Sequence, residues 1–155
     1  MPTEPALPYL RSLLFLAFAA PITLVDLRSR RIPDALSLGG LACLAAFDCF
    51  LEPGSLFRDG LAATLAFALF YLIRACTMGL GFGDLKYAAL VVFYSGLPRC
   101  FAALAASALA ALAAFAFAAF GSRRRRLAAT LPFAPFLTLG ALAAAVLELA
   151  SGGGW

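Results

Sequence analysis

Residues 101–120 read FAALAASALAALAAFAFAAF. An uncharged run of this length matches the hydrocarbon core of a bilayer, which a helix crosses in about 20 apolar residues. Five further apolar segments lie along the chain, so the six cover 8–25, 35–51, 60–73, 85–97, 101–120 and 127–150. In lipid only helices and closed barrels satisfy their own backbone groups. Leu, Ala and Phe recur without the alternation of a barrel strand, so helices are expected. Composition agrees: the chain is 64% hydrophobic and 13% charged, with a mean hydropathy of +0.96. The expected fold is all-α, a polytopic membrane bundle of about six transmembrane helices. At about 20 residues per span these use most of the 155 residues. One transmembrane domain over 1–155 is therefore expected, with no room for a soluble one. Segments three and four are the least regular, because polar residues and glycines interrupt them. The alanine-rich fifth segment is read as a packing surface, since small side chains let membrane helices approach closely.

Basic residues in the loops set orientation. Arg28, Arg30, Arg31, Arg74, Lys86 and Arg123 to Arg126 follow segments one, three and five, which is nine of the twelve basic residues. Arg11, Arg58 and Arg99 fall on the other side. This split places the nine in the cytoplasm and both termini outside. The RRRR run is read as a topology anchor against anionic lipid, and no nucleic-acid partner is expected. Segment one has weak charge before it and three arginines after it, the reverse of a signal peptide, so it is read as a retained span.

The chain contains no histidine, which excludes His-based triads and the HExxH zinc site. Cys43, Cys49, Cys76 and Cys100 never form CxxC and are read as small apolar residues. No metal site is expected. Five Asp and three Glu remain as candidate acids and bases. Glu4, Asp48, Glu52, Asp59 and Glu148 fall near the outer face. Asp26, Asp34 and Asp84 fall at the cytoplasmic face. Asp48 and Glu148 are read as interfacial or satisfied within the bundle.

Asp26 closes segment one and Asp84 opens segment four. They lie 58 residues apart, yet the expected topology returns them to one membrane level. Carboxylates at the edge of the hydrocarbon are costly to keep and mark functional sites. Bland roles exist for both: Asp84 as the N-cap of segment four, and Asp26 as a partner of Arg28 or Arg30. Two carboxyls brought together share a proton. One then serves as general base on a water and the other as general acid, which is what peptide hydrolysis requires. Helix-end fields suggest that Asp84 holds the charge and Asp26 the proton. Gly81 and Gly83 would let the backbone before Asp84 take unusual angles and let a substrate strand lie close. The rival class is a non-enzymatic membrane protein, either a proton-coupled transporter subunit or an assembly scaffold. A transporter would favour acids near the midplane and internal repeats. No clear repeat is present, and the candidate acids cluster at one edge.

Asp26 with RIPD (31–34), GFGDLK (81–86) and LPFAPFLTLG (131–140) together resemble the prepilin and preflagellin peptidases, GxGD-type intramembrane aspartyl proteases. The resemblance runs from segment one to segment six and suits the short, peptidase-only form found with tight-adherence pilus systems. It implies Asp26 and Asp84 as catalytic residues, with Gly81, Gly83 and Lys86 as the supporting loop. Arg28, Ile32, Pro33, Asp34, Pro132, Phe133 and Pro135 become candidates for substrate contact. Asp34 stands where short members often carry Asn and longer ones Asp. Nothing corresponds to the methyltransferase part of the long members, so N-methylation is not implied, and neither is a cofactor. The implied substrate is a prepilin or pseudopilin precursor: a short basic leader, a glycine, then a hydrophobic helix with an early Glu. The implied location is the bacterial inner membrane, with the site at its cytoplasmic face. Asp34 would then receive a leader Lys, and Lys86 or Arg28 would meet the Glu of the substrate helix.

Overall fold

The computed structural model describes residues 7–77, 81–120 and 132–151, which are helical apart from short connections. The helices are α1 (Leu7–Ser29), α2 (Asp34–Leu51), α3 (Pro53–Thr77), α4 (Phe82–Phe120) and α5 (Ala134–Ser151). Residues 30–33 join α1 to α2, and Glu52 alone separates α2 from α3. Connections this short turn each helix back along its predecessor.

The apolar segments 85–97 and 101–120, expected to be separate, are two helices that meet at a kink within α4. At Gly96 the backbone takes φ 70° and ψ 167°, a left-handed value that favours glycine. A Cβ there would also lie 3.2 Å from Asp59 Oδ1. Pro98 lacks the N–H that would carry the helix across the break.

Two boundaries differ from expectation. Segment three was expected over 60–73, but α3 covers Pro53–Thr77. Pro53 is the first helical residue, where its missing N–H costs nothing, and Asp59 is carried inside the helix. Segment six was expected from 127. Residues 132–133 are not helical, and α5 begins at Ala134. Pro135 falls in its first turn, where proline is tolerated. The expected anchor Arg123 to Arg126 lies outside the described residues.

Among the described residues, three helices, Leu7–Ser29, Asp34–Leu51 and Pro53–Cys76, are long and apolar enough to cross a membrane, whereas Arg99–Ala113 and Ala134–Leu147 are shorter apolar stretches. The first half of α4 is the hub. Leu85 and every residue from Tyr87 to Gly96 are buried there, as expected of a helix enclosed by others. Phe15, Ala19 and Ile22 of α1, Leu44 of α2 and Leu137 and Ala141 of α5 complete the core. The Phe15 and Tyr94 rings stack with centroids 4.0 Å apart. Outward faces are apolar too: Leu13, Phe50, Phe57, Leu65 and Leu72 are exposed, the surface a bilayer would cover.

The bundle has two polar ends. At one, Arg11 is buried and its Nη2 donates to Asp48 Oδ2 (2.8 Å), Asp59 Oδ2 (3.2 Å) and the Phe93 carbonyl (3.2 Å). Arg58 Nε reaches Asp59 Oδ1 at 3.0 Å. Asp48 is thus held within the bundle through Oδ2, as expected, while its Oδ1 is buried with no hydrogen-bond partner among the described residues. Arg11 and Asp59 lie at the end of the bundle expected for them, and both are buried there. The Glu148 side chain lies outside what is described. Asp26, Asp34 and Asp84 occupy the other end.

Candidate active site

Asp26 lies in the last turn of α1 and is only 4% exposed. Its carbonyl accepts the Arg30 N–H at 2.8 Å, closing the helix with Arg30 at φ 52°. A non-glycine residue held there costs about 1–2 kcal/mol, so the tight reversal into Ile32–Pro33–Asp34 is enforced by its surroundings. Asp26 Oδ2 accepts the Ala134 N–H of α5 at 3.0 Å. That donor is one of the otherwise unpaired groups at a helix start. Pro132 and Pro135 have no N–H to offer, and of the two residues between them it is Ala134 whose N–H is turned to this carboxylate.

Asp84 is the third residue of α4. Its Oδ2 accepts the Gly81 N–H at 3.0 Å, the reach-back half of a capping box. The alternative role considered for Asp84 was the N-cap itself, but Gly81 holds that place. The two glycines have different duties. Neither adopts a left-handed φ, so unusual backbone angles are not why they are there. A Cβ on Gly83 would sit 2.8 Å from Ile32 Cβ and 3.1 Å from the Ile32 carbonyl oxygen. A Cβ on Gly81 would lie 3.1 Å from Asp84 Oδ2. Clearance is the reason: the start of α4 presses on the α1–α2 turn. Between them, Phe82 carries the Arg74 guanidinium 4.1 Å above its ring, a cation–π contact that ties this turn to α3.

Asp26 and Asp84 line one cavity of about 580 Å³, shared with Val25, Arg30, Arg31, the Ile32–Asp34 turn, Gly81 and Gly83. The volume is that of a small-ligand site or a short stretch of extended peptide. The two acids, 58 positions apart in sequence, therefore face a common space at one end of the bundle. Asp26 meets the start of α5 as well as the end of α1, so the fields of two helix ends act on it.

Other expected residues are distributed around this space. Ile32, Pro33 and Asp34 line it. Lys86 Nζ pairs with Asp34 Oδ2 at 2.6 Å, so each already has the other as partner, where separate substrate charges had been expected. Arg28 is exposed and does not line the cavity. Pro132, Phe133 and Pro135 stand behind Asp26 instead of lining the cavity. Arg30 and Arg31 line it too, although Arg30 had been considered only as a basic loop residue and ion-pair partner of Asp26, and Arg31 only as a basic loop residue. Their signal was present, since both stand between Asp26 and the Ile-Pro turn.

A helical bundle with outward apolar faces is the architecture of a membrane protein, and here two acids open on one end cavity. The type IV leader peptidase family matches residues 13–121, more than half of the chain, including both acids and the turns that carry them. The chain belongs to that family, whose members are peptidases acting on prepilin-type precursors. No curated protein and no solved structure gives a match.

Proposed function

We propose that this chain is an intramembrane aspartic endopeptidase that removes the basic leader from type IV prepilin-like precursors. Asp26 and Asp84 are its catalytic pair, working at the cytoplasmic face of the bacterial inner membrane. The observation that carries this reading is the shared cavity lined by both carboxyls. Family membership supports a peptidase over a transporter subunit or a scaffold.

The chemistry needs no group beyond the two acids and water. The ionised carboxyl takes a proton from a water, whose oxygen attacks the scissile carbonyl carbon. The protonated carboxyl gives its proton to the carbonyl oxygen. The tetrahedral diol then collapses: one of its hydroxyls returns a proton to the second carboxyl, the C–N bond breaks, and the leaving amine takes the proton held by the first carboxyl. The Ala134 and Gly81 N–H groups hold one oxygen of each acid, leaving the others for water and substrate. Arg30 and Arg31 make the rim basic, and Asp34 is the acid on that rim that a basic leader would approach.

The test is co-expression with a prepilin-type precursor. Asp26→Asn and Asp84→Asn should each leave the precursor at full length while the wild type trims it. Normal trimming by either variant overturns the pair.

A further inference from the structure

Directly beneath the two acids lies a cluster of hydroxyls that the proposed chemistry leaves unused. Thr138 Oγ1 of α5 is 2.9 Å from Thr23 Oγ1 of α1 and 2.5 Å from Tyr87 Oη of α4. It also donates to the Ala134 carbonyl at 2.9 Å. We propose that Thr23, Thr138 and Tyr87 are positioning residues, a three-helix hydroxyl brace that sets how Asp26 and Asp84 face each other. The proposal rests on the peptidase reading given above.

The placement is systematic. Thr23 precedes Asp26 by three residues, Tyr87 follows Asp84 by three, and Thr138 follows Ala134 by four. Residues three and four apart share a helix face. Each hydroxyl thus sits one turn, about 5 Å, deeper in the bundle than the group it accompanies: the two acids and the N–H that holds Asp26. Three helices supply the site, and the same three are joined one turn below it.

Hydrogen-bond arithmetic gives the brace a direction. A hydroxyl has one proton and two lone pairs. When Thr138 spends its proton on the Ala134 carbonyl, its lone pairs are left for the Thr23 and Tyr87 protons. The pattern saturates Thr138 and orients both neighbours. Tyr87 is fully buried and Thr138 is 8% exposed, so water cannot readily replace a lost partner. In an apolar interior a lone hydroxyl is strongly disfavoured, which makes the brace a stiff link. None of the three lines the cavity, so their influence on catalysis would run through the acids and not through contact with substrate.

The test uses the purified full chain in detergent or proteoliposomes with a prepilin-type peptide, measuring kcat and KM separately. Tyr87→Phe, which keeps the ring, and Thr138→Val, which keeps the shape, should lower kcat roughly tenfold to a hundredfold, the scale of a misplaced catalytic group. KM should stay within about twofold, and Thr138→Ser should restore most of kcat, because substrate contacts and the hydroxyl are respectively untouched and retained. If Thr138→Val does not fold, Tyr87→Phe and Thr138→Ser still decide. Wild-type kcat in Tyr87→Phe, or Thr138→Ser as impaired as Thr138→Val, overturns the brace. With the wild type active and Asp26→Asn inactive, those results remove the brace alone. A wild type unable to cut the peptide, or an active Asp26→Asn, removes the peptidase reading first.

Discussion

Adding one methyl group at Gly83 should damage the site. Carbon atoms in contact sit about 3.5–4.0 Å apart, but an alanine Cβ at position 83 would lie 2.8 Å from Ile32 Cβ. The turn and the start of α4 must then separate by about 0.7 Å or more to reach ordinary contact. The atoms in the way are Ile32 Cβ, Cα and carbonyl oxygen, none of which a rotamer change can move. Overpacking of this kind costs about 1–3 kcal/mol. Alanine's better helix propensity returns at most about 1 kcal/mol in a helix interior and less in a first turn, so the clash wins. Asp84 is the next residue and Ile32 shares its cavity, so the separation falls on the proposed pair. Precursor trimming by Gly83→Ala should slow roughly tenfold to a hundredfold, as for a catalytic group displaced by about 1 Å. Gly39→Ala is the control: its Cβ would meet Phe18 Cε1 at 3.7 Å, an ordinary contact, and trimming should be unchanged. A double-mutant cycle sharpens the test. Ile32→Ala keeps the offending Cβ and should not rescue Gly83→Ala. Ile32→Gly removes it and should rescue in part, because the carbonyl oxygen at 3.1 Å remains. Wild-type trimming by Gly83→Ala, or equal rescue by both Ile32 variants, would refute the clearance argument.

Arg11→Leu should lower stability in detergent unfolding by about 3–5 kcal/mol, as for a broken buried ion pair. Because Asp59 keeps Arg58 at 3.0 Å while Asp48 loses its Arg11 partner, adding Asp48→Asn should recover more stability than adding Asp59→Asn. Gly140→Ala would press a Cβ onto Ser107 Oγ and the Ala103 carbonyl and should cost about 1–3 kcal/mol in the same assay. Ser107→Ala should relieve that only in part, since the carbonyl is backbone. Asp34→Asn breaks the Lys86 pair, but Asp34 is 60% exposed, so the unfolding midpoint should move by less than the equivalent of about 1 kcal/mol.

Hydropathy alone was enough to expect the helices, because each apolar run is a local property of the chain. The division of the acids between two ends was equally legible. Asp26, Asp34 and Asp84 gather at one end and Asp48 and Asp59 at the other, as alternation of spans requires. The residues that could be placed only with the structure act across helices. Nothing local marks Arg11 as the partner of two acids in α2 and α3, and its charge near the start of an apolar run reads as a boundary. Gly83 announces flexibility by type, yet its duty is set by Ile32, 51 positions away. The PFAPF run reads as a surface for substrate. Its Ala134 N–H instead reaches Asp26 because α5 starts beside the end of α1. Thr23 and Tyr87 carried a faint signal, each one turn from an acid, but Thr138 as their meeting point depends on how three helices pack.

The most direct measurement is single-turnover cleavage of a prepilin-type peptide by purified wild type, Asp26→Asn, Asp84→Asn and the double variant, each first shown to be folded. If the two acids act as one unit, each single variant should lose on the order of a thousandfold or more, and the double should be scarcely slower than either, the non-additivity of groups that work together. A single variant cutting within a few fold of the wild-type rate would contradict the shared role of Asp26 and Asp84.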